Sequence, residues 1–264
     1  MNLTNSGRLK VCAVSFLNTS PLVWGMLHGP QRGLFDLEFR IPAECADALA
    51  SGRADIGIVP SFELSRQDLG IIPGAGIAAH GAVRSILLIS KVPAGEIRSL
   101  AADANSRTSV QLARVILKRK FGASPVIAPH PPQLKAMLER ADAALIIGDP
   151  ALHLDPATLP YRVYDLGAEW TELTGLPMVF AVWASRGASS ADVAAAFLAS
   201  CRYGRERIEE IVREEALRRG FAPELAREYL TRHIVHELGE PEYRGLRRFL
   251  ELAAGVECAA GLRF

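Results

Sequence analysis

Apolar positions along this chain come in two kinds of run, and the kinds alternate. Short blocks at 9–14, 37–41, 52–60, 98–102, 125–128 and 142–147 are rich in Val, Ile, Leu and Ala and have the length of buried strands. Between them lie segments with apolar residues at helical spacing, at 22–27, 42–51, 106–120 and 131–140. Two further β-rich runs, 71–79 and 83–91, are split by His80-Gly81. After a strand at 161–166 and a short helix and turn at 167–177, Met178-Val-Phe-Ala-Val-Trp-Ala184 forms a strong strand. Beyond it the pattern is helical, at 190–219, 223–233 and 240–254. Alternating strands and helices predict an α/β chain with mixed, mostly parallel sheets, helices on both faces and a helical C-terminus.

Local signals fix several boundaries. Pro21 suits the first position of a helix, with Ser20 as its expected cap. Gly122 is a natural stop for the 106–120 helix. On 190–219, Glu209 and Arg213, Glu214 and Arg218, and Glu215 and Arg219 stand at i,i+4 in the favoured polarity, so the arginines there read as a solvated face. An internal echo suggests two units. Ala46 to Pro60 and Leu134 to Pro150 each read as a helix, an Ala-Asp turn, an apolar strand and a Pro turn. The expected organisation is a discontinuous first lobe (1–92 and 182–264), a second lobe (93–181) and a ligand cleft between them, with chain crossings near 91–98 and 177–184.

Composition narrows the function. Thirty basic against 29 acidic residues leave a net charge of +1, too little field to draw nucleic acid. The longest apolar runs are far short of a membrane span, and the N-terminal stretch has no signal-peptide h-region. Four scattered cysteines (Cys12, Cys45, Cys201, Cys258) form no CxxC and read as buried free thiols of a cytoplasmic protein. His233 and His236 are expected at a helix end without a metal role, and His80 on a surface turn. No GxSxG, Walker A, HExxH or strand-linked GxGxxG occurs.

The densest polar chemistry lies where the 98–102 strand turns into the following helix: Ser106, Arg107, Thr108 and Ser109. A helix N-terminus has unpaired N–H groups and the positive end of the dipole, so hydroxyls there can share an incoming carboxylate. In open α/β sheets ligands bind beyond the carboxyl ends of strands. That rule adds Asn18, Thr19, Ser61, Glu63 and Asp149, with Ser85 nearby in a later strand. Singly, each reads equally well as a cap or turn residue. Together they describe a polar cleft for a small, oxygen-rich anion.

Five segments carry a family resemblance: Ser15-Phe-Leu-Asn-Thr-Ser-Pro-Leu22, Ala54-Asp-Ile-Gly-Ile-Val-Pro-Ser61, Asn105-Ser-Arg-Thr-Ser-Val-Gln-Leu112, Ile147-Gly-Asp-Pro-Ala-Leu152 and Leu166-Gly-Ala-Glu-Trp-Thr-Glu-Leu-Thr-Gly-Leu-Pro-Met-Val-Phe-Ala-Val-Trp183. The chain resembles the chorismate dehydratases of the futalosine route to menaquinone, collinearly over nearly its whole length; its C-terminal helices match only in pattern. The resemblance implies a two-lobed type II periplasmic-binding-protein-like fold. It also implies a hydro-lyase that turns chorismate into 3-[(1-carboxyvinyl)oxy]benzoate and water without metal or organic cofactor. By the same resemblance Asn18 and Ser85 contact the reacting part of chorismate. Ser61, Ser106, Arg107, Thr108, Ser109 and Asp149 bind substrate, although Arg107 can instead brace the lobes. The expected proton acceptor is the substrate's own enolpyruvyl carboxylate, with Asp149 or Glu63 as the rival. Two other functions share these features: a non-catalytic cytosolic small-anion binding protein, and the dihydroxynaphthoate synthase of the same pathway. The oligomeric state is not legible.

Overall fold

The protein is described by a computed structural model over residues 7–103, 107–187 and 189–260. It has two α/β lobes. The first sheet holds β1 (Lys10–Val14), β2 (Asp36–Arg40), β3 (Ile56–Pro60), β4 (Gly70–Ala79), β10 (Met178–Ser185) and β11 (Val235–Glu237), in the order β11-β4-β10-β3-β1-β2. The second holds β5 (Ile86–Ser90), β6 (Ser99–Asp103), β7 (Val126–His130), β8 (Ala143–Ile147) and β9 (Arg162–Asp165), in the order β7-β6-β8-β5-β9. β1 to β4 run one way in the first sheet, against β10 and β11. In the second sheet β5 alone opposes the others. Both sheets are mixed, as expected, but not mostly parallel by pairing: three of the five neighbouring pairs in the first sheet and two of the four in the second are antiparallel. Helices α1 (Ser20–His28), α2 (Pro42–Ala50), α3 (Arg107–Phe121), α4 (Leu134–Arg140) and α6 (Leu166–Thr174) follow the sequence pattern, α5 (Gly148–Leu152) stands where the sequence reads as a Pro turn, and α7 (Ala191–Arg205) opens the C-terminal helical region.

Sheet membership moves the lobe boundary. β5 lies within the stretch assigned to the first lobe, yet it pairs with β8 and β9 of the second sheet. The first crossing is thus 80–85, and the second is 175–177, just before β10 re-enters the first sheet. Side chains pin both. Asp165 accepts hydrogen bonds from the Val83 N–H (2.9 Å) and the Arg84 N–H (2.6 Å) while capping α6. Arg84 sits at φ 65°, and its guanidinium donates to the carbonyls of Ala151 and Leu154. At the second crossing the Trp170 Nε1–H donates to the Pro177 carbonyl (3.1 Å). Helix α11 (Glu240–Ala260) rides over the same point, where a Cβ on Gly245 would come within 2.0 Å of that carbonyl oxygen.

Three local expectations are revised. Thr19, not Ser20, precedes α1, and Ser20 opens the helix without a side-chain cap. The single helix expected over 190–219 breaks after α7 into α8 (Ile208–Ile211), a π-helical turn (Val212–Ala216) and α9 (Leu217–Arg219). Of its three expected pairs only Glu215 with Arg219 forms, at 2.9 Å; Glu209 grips Arg227 and Arg218 turns to Glu215. The expected 223–233 helix is α10 (Pro223–Glu228) followed by a second π-helical turn, Tyr229–His233. His236 is not at a helix end but in the short edge strand β11, fully enclosed. Cys12, Cys45 and Cys201 are buried free thiols, as expected.

Candidate active site

A cleft lies between the lobes and encloses about 590 Å³ not filled by protein atoms, counting its open mouth. The two segments of the sequence echo end on it, β3 with Pro60 and β8 with Ile147 and Gly148. The apolar lining includes Phe16, Ile58, Ile77, Val83 and Phe180. The polar side chains in it are Asn18, Thr19, Ser85, Thr108 and Ser109, all uncharged. Among the described residues no carboxylate, imidazole, ammonium or guanidinium lines it, and no group of three His, Cys, Asp or Glu side chains stands together for a metal.

Asn18 sits in a 3-10 turn, Leu17–Thr19, between β1 and α1. Three contacts set its position. The Leu17 N–H donates across the cleft to Asp149 Oδ1 at 3.0 Å, so Asp149 caps this turn from the other lobe. His236 Nε2 lies 2.9 Å from the Asn18 carbonyl. Burial pushes the His236 imidazole down to about 4, so near neutral pH it is uncharged and donates its Nε2–H. The Asn18 amide Nδ2 donates to the Tyr229 hydroxyl at 2.9 Å. Ser85 is held similarly: its carbonyl accepts from Gly148 N–H (2.7 Å), and its hydroxyl accepts from Tyr229 (2.8 Å). Phe16 closes over Gly148, where φ is 64° and a Cβ would lie 2.6 Å from the ring. Glycine fits there without backbone strain or displacement of the ring.

The other expected site residues divide. Thr108 and Ser109 open α3 and line the cleft, both buried. Thr108 Oγ1 also accepts from the Phe62 N–H at 3.1 Å. Ser61 stands just behind them, donating to the Val179 carbonyl at 2.7 Å and 3.5 Å from Thr108 Oγ1. Arg107 faces away from the cleft. It joins Glu63 (3.1 Å) and Asp47 (3.0 Å) of the first lobe, the bracing role that the sequence left open. Glu63 is enclosed and held further by Arg66 and Gln67. Asp149 is paired with Arg219 at 2.6 Å as well as with Leu17. Neither carboxylate is in the lining. The reason is electrostatic: a carboxylate withdrawn from water in this wall needs a fixed cation, and each has found an arginine. Ser106 lies outside the described residues.

Sequence reasoning missed Tyr229, His236 and Arg219. All three come from the C-terminal third, where the helical pattern gave no sign of which side chains turn inward. The one available signal was the polar Tyr and His within otherwise amphipathic stretches.

Comparisons with known proteins agree with this picture. Residues 9–255 match the protein-family model described as "Menaquinone biosynthesis". A chorismate dehydratase of Thermus thermophilus is 34% identical over 230 residues, 80% of this chain and 84% of that protein. A chorismate dehydratase of Campylobacter jejuni is 27% identical over 226 residues, 83% of this chain and 84% of its own. Among solved structures, a protein of Archaeoglobus fulgidus matches with a TM-score of 0.73 at 19% identity, covering 95% of this chain and 98% of the other. The periplasmic aliphatic sulphonate binding protein of Escherichia coli matches at 0.64 and 15% identity, covering 96% and 89%. The fold is thus that of periplasmic binding proteins, and the chain belongs to the menaquinone-biosynthesis family that includes these chorismate dehydratases.

Proposed function

We propose that this protein is a chorismate dehydratase of the futalosine route, and that the substrate supplies its own base. One observation carries the second half: the described lining holds no titratable side chain, while Glu63 and Asp149 behind it are each engaged by arginine. Chorismate loses a ring C3 proton and its C4 hydroxyl. The C3–H and C4–O bonds break, a ring double bond forms between these carbons, and the ring becomes aromatic. The thermodynamic pull is large, so the protein has to supply geometry rather than acid–base strength. In this reading the enolpyruvyl carboxylate takes the C3 proton and passes it to the departing C4 hydroxyl, which leaves as water.

Asn18 and Ser85 stand at the first-lobe and crossing sides of the cleft and supply neutral hydrogen-bonding groups to the reacting edge. Thr108 and Ser109, with the first turn of α3, receive a carboxylate through hydroxyls and backbone donors. Neutral donors suit this reaction: a fixed cation against the enolpyruvyl carboxylate would lower its basicity. Among the described residues no helix is long and apolar enough to cross a membrane. The buried free thiols support a reducing, cytoplasmic setting.

The test is incubation of purified protein with chorismate alone, followed by chromatography with mass detection. The expected product is lighter by one water and absorbs as a benzoate, and it disappears with Asn18→Ala. Chorismate bound but unchanged overturns the catalytic reading.

A further inference from the structure

The Tyr229 hydroxyl is the point where the two sides of the cleft meet. It accepts from Asn18 Nδ2 at 2.9 Å and donates to Ser85 Oγ at 2.8 Å. Thr19 Oγ1 donates to Asn18 Oδ1 at 3.4 Å, which turns the amide so that its nitrogen faces the phenol. Among the described residues the Ser85 hydroxyl donates to nothing, and Ser85 lines the cleft. Tyr229 itself is 1% exposed and not in the lining. It opens the π-helical turn Tyr229–His233, the kind of local irregularity that recurs at functional positions.

These contacts form a chain of one polarity: Asn18 N–H to Tyr229 O–H to Ser85 O–H to the cleft. Each acceptor becomes a stronger donor, and the effect grows where water is excluded. Burial pushes the phenol above its ordinary range, so it keeps its proton.

Building on the dehydratase reading above, we propose that Tyr229 is a positioning residue for the reaction, aiming and polarising the Ser85 hydroxyl toward the departing C4 hydroxyl of the substrate. Ser85 lends a hydrogen bond and keeps its proton; the water that leaves carries the proton taken from C3. Substrate binding rests on other groups, so Tyr229 acts on the chemical step rather than on affinity.

The experiment is a double-mutant cycle read by turnover of chorismate. Tyr229→Phe removes one oxygen and keeps the ring. Its expected effect is a fall in kcat of about 10- to 100-fold, as for loss of one buried hydrogen bond to a reacting group, with KM within about threefold. In the Ser85→Ala background the same change is expected to lower kcat at least about fivefold less, because the route through Ser85 is gone and only the contact that holds Asn18 remains. Equal losses in both backgrounds, or wild-type kcat in Tyr229→Phe, overturn the relay. Should Tyr229→Phe fail to fold, fluorotyrosines placed at 229 give the same answer with little steric change. The relay requires kcat to rise with phenol acidity, and a flat or falling series refutes it. Wild-type protein that leaves chorismate intact sinks the dehydratase reading itself, whereas wild-type turnover with an indifferent Tyr229 sinks the relay alone.

Discussion

Gly148 lines the cleft and Asp149, the next residue, does not; a similar step separates Thr108 from Arg107. On the lining side stand Asn18, Thr19, Ser85, Thr108 and Ser109, uncharged and buried or half-buried. On the far side run two belts of ion pairs, Arg219 to Asp149 and Arg107 to Glu63 and Asp47, each joining one lobe to the other. The belts join the lobes, and the lining is the surface proposed to meet the ligand. Charge is effective in the belts because partners are within 3.1 Å. In the lining it would compete with the carboxylate that is proposed to act as base. The proposed recognition of an anion and the bracing of the two lobes thus fall to different chemistries within a few residues of one another.

The largest effect that tests this division is expected at Asn18. Asn18→Ala should lower kcat by about 100-fold or more, the usual loss when one preorganised donor facing the reacting atoms is removed, with thermal stability nearly unchanged. Steady-state kinetics beside a melting curve separates the two. A normal kcat would place the chemistry elsewhere.

The belts should respond in the opposite way. Glu63→Gln is expected to cost about 3 kcal/mol of folding stability, because Glu63 is the enclosed anion on which the partly exposed Arg107 and Arg66 converge, although Arg107 keeps Asp47. Asp149→Asn should cost about 2 kcal/mol for the same reason, less because it still accepts from Leu17. Both should keep kcat within about threefold at temperatures where they remain folded. Turnover that collapses while chorismate still binds would make that carboxylate the base and end the substrate-assisted reading. Denaturant titrations and kinetics on the same preparations decide it.

His236 supplies a pH test of the support behind Asn18. Its imidazole titrates near 4 in the folded protein because burial disfavours the charge, against about 6.5 when unfolded. Above 6.5 both states are neutral and stability is unaffected. As pH falls from 6.5 towards 4 the unfolded chain takes up a proton that the folded chain refuses, so stability is lost over that window, by about 3 kcal/mol in full. His236→Gln, which still donates to the Asn18 carbonyl, should flatten this part of the profile in denaturant titrations between pH 4 and 8. A profile that keeps its slope would assign the loss to other groups.

A comparable effect, divisible into two parts, is expected at the edge between lining and belt. Gly148→Ala should cost about 2 kcal/mol, from the left-handed backbone and the Phe16 ring together. Adding Phe16→Ala should remove the clash and leave the backbone cost of about 1 kcal/mol, at the expense of the ring's own packing. A Gly148→Ala cost of only about 1 kcal/mol would show that the Phe16 ring moves aside and leaves the backbone cost alone.

The hydrophobic pattern was sufficient for the elements of both sheets up to β10. The strands Ile56–Pro60, Ile86–Ser90, Ala143–Ile147 and Met178–Ser185 are apolar runs, and burial on a sheet leaves few alternatives for such runs, whereas Asp36–Arg40, Val126–His130 and Arg162–Asp165 are more polar or exposed edge strands. The hydroxyl-rich turn at α3 and the Leu-Asn-Thr turn after β1 were also legible, since both are short polar clusters at strand ends. What the sequence left undecided depends on direction in space. Whether Arg107 enters the cleft or braces it turns on Glu63 and Asp47, 44 and 60 residues away in the chain. That Asp149 caps Leu17 rests on a contact across 132 residues, and the Asn18–Tyr229 bond spans 211. β5 joins the second sheet although its sequence runs on from β4, because pairing partners and not neighbours choose a sheet. Local propensity thus determined the strands, the helices and the polar turns. Only tertiary structure decided which polar groups are neutralised in pairs and which remain to face a ligand, because that choice is made by contacts between residues the chain keeps far apart.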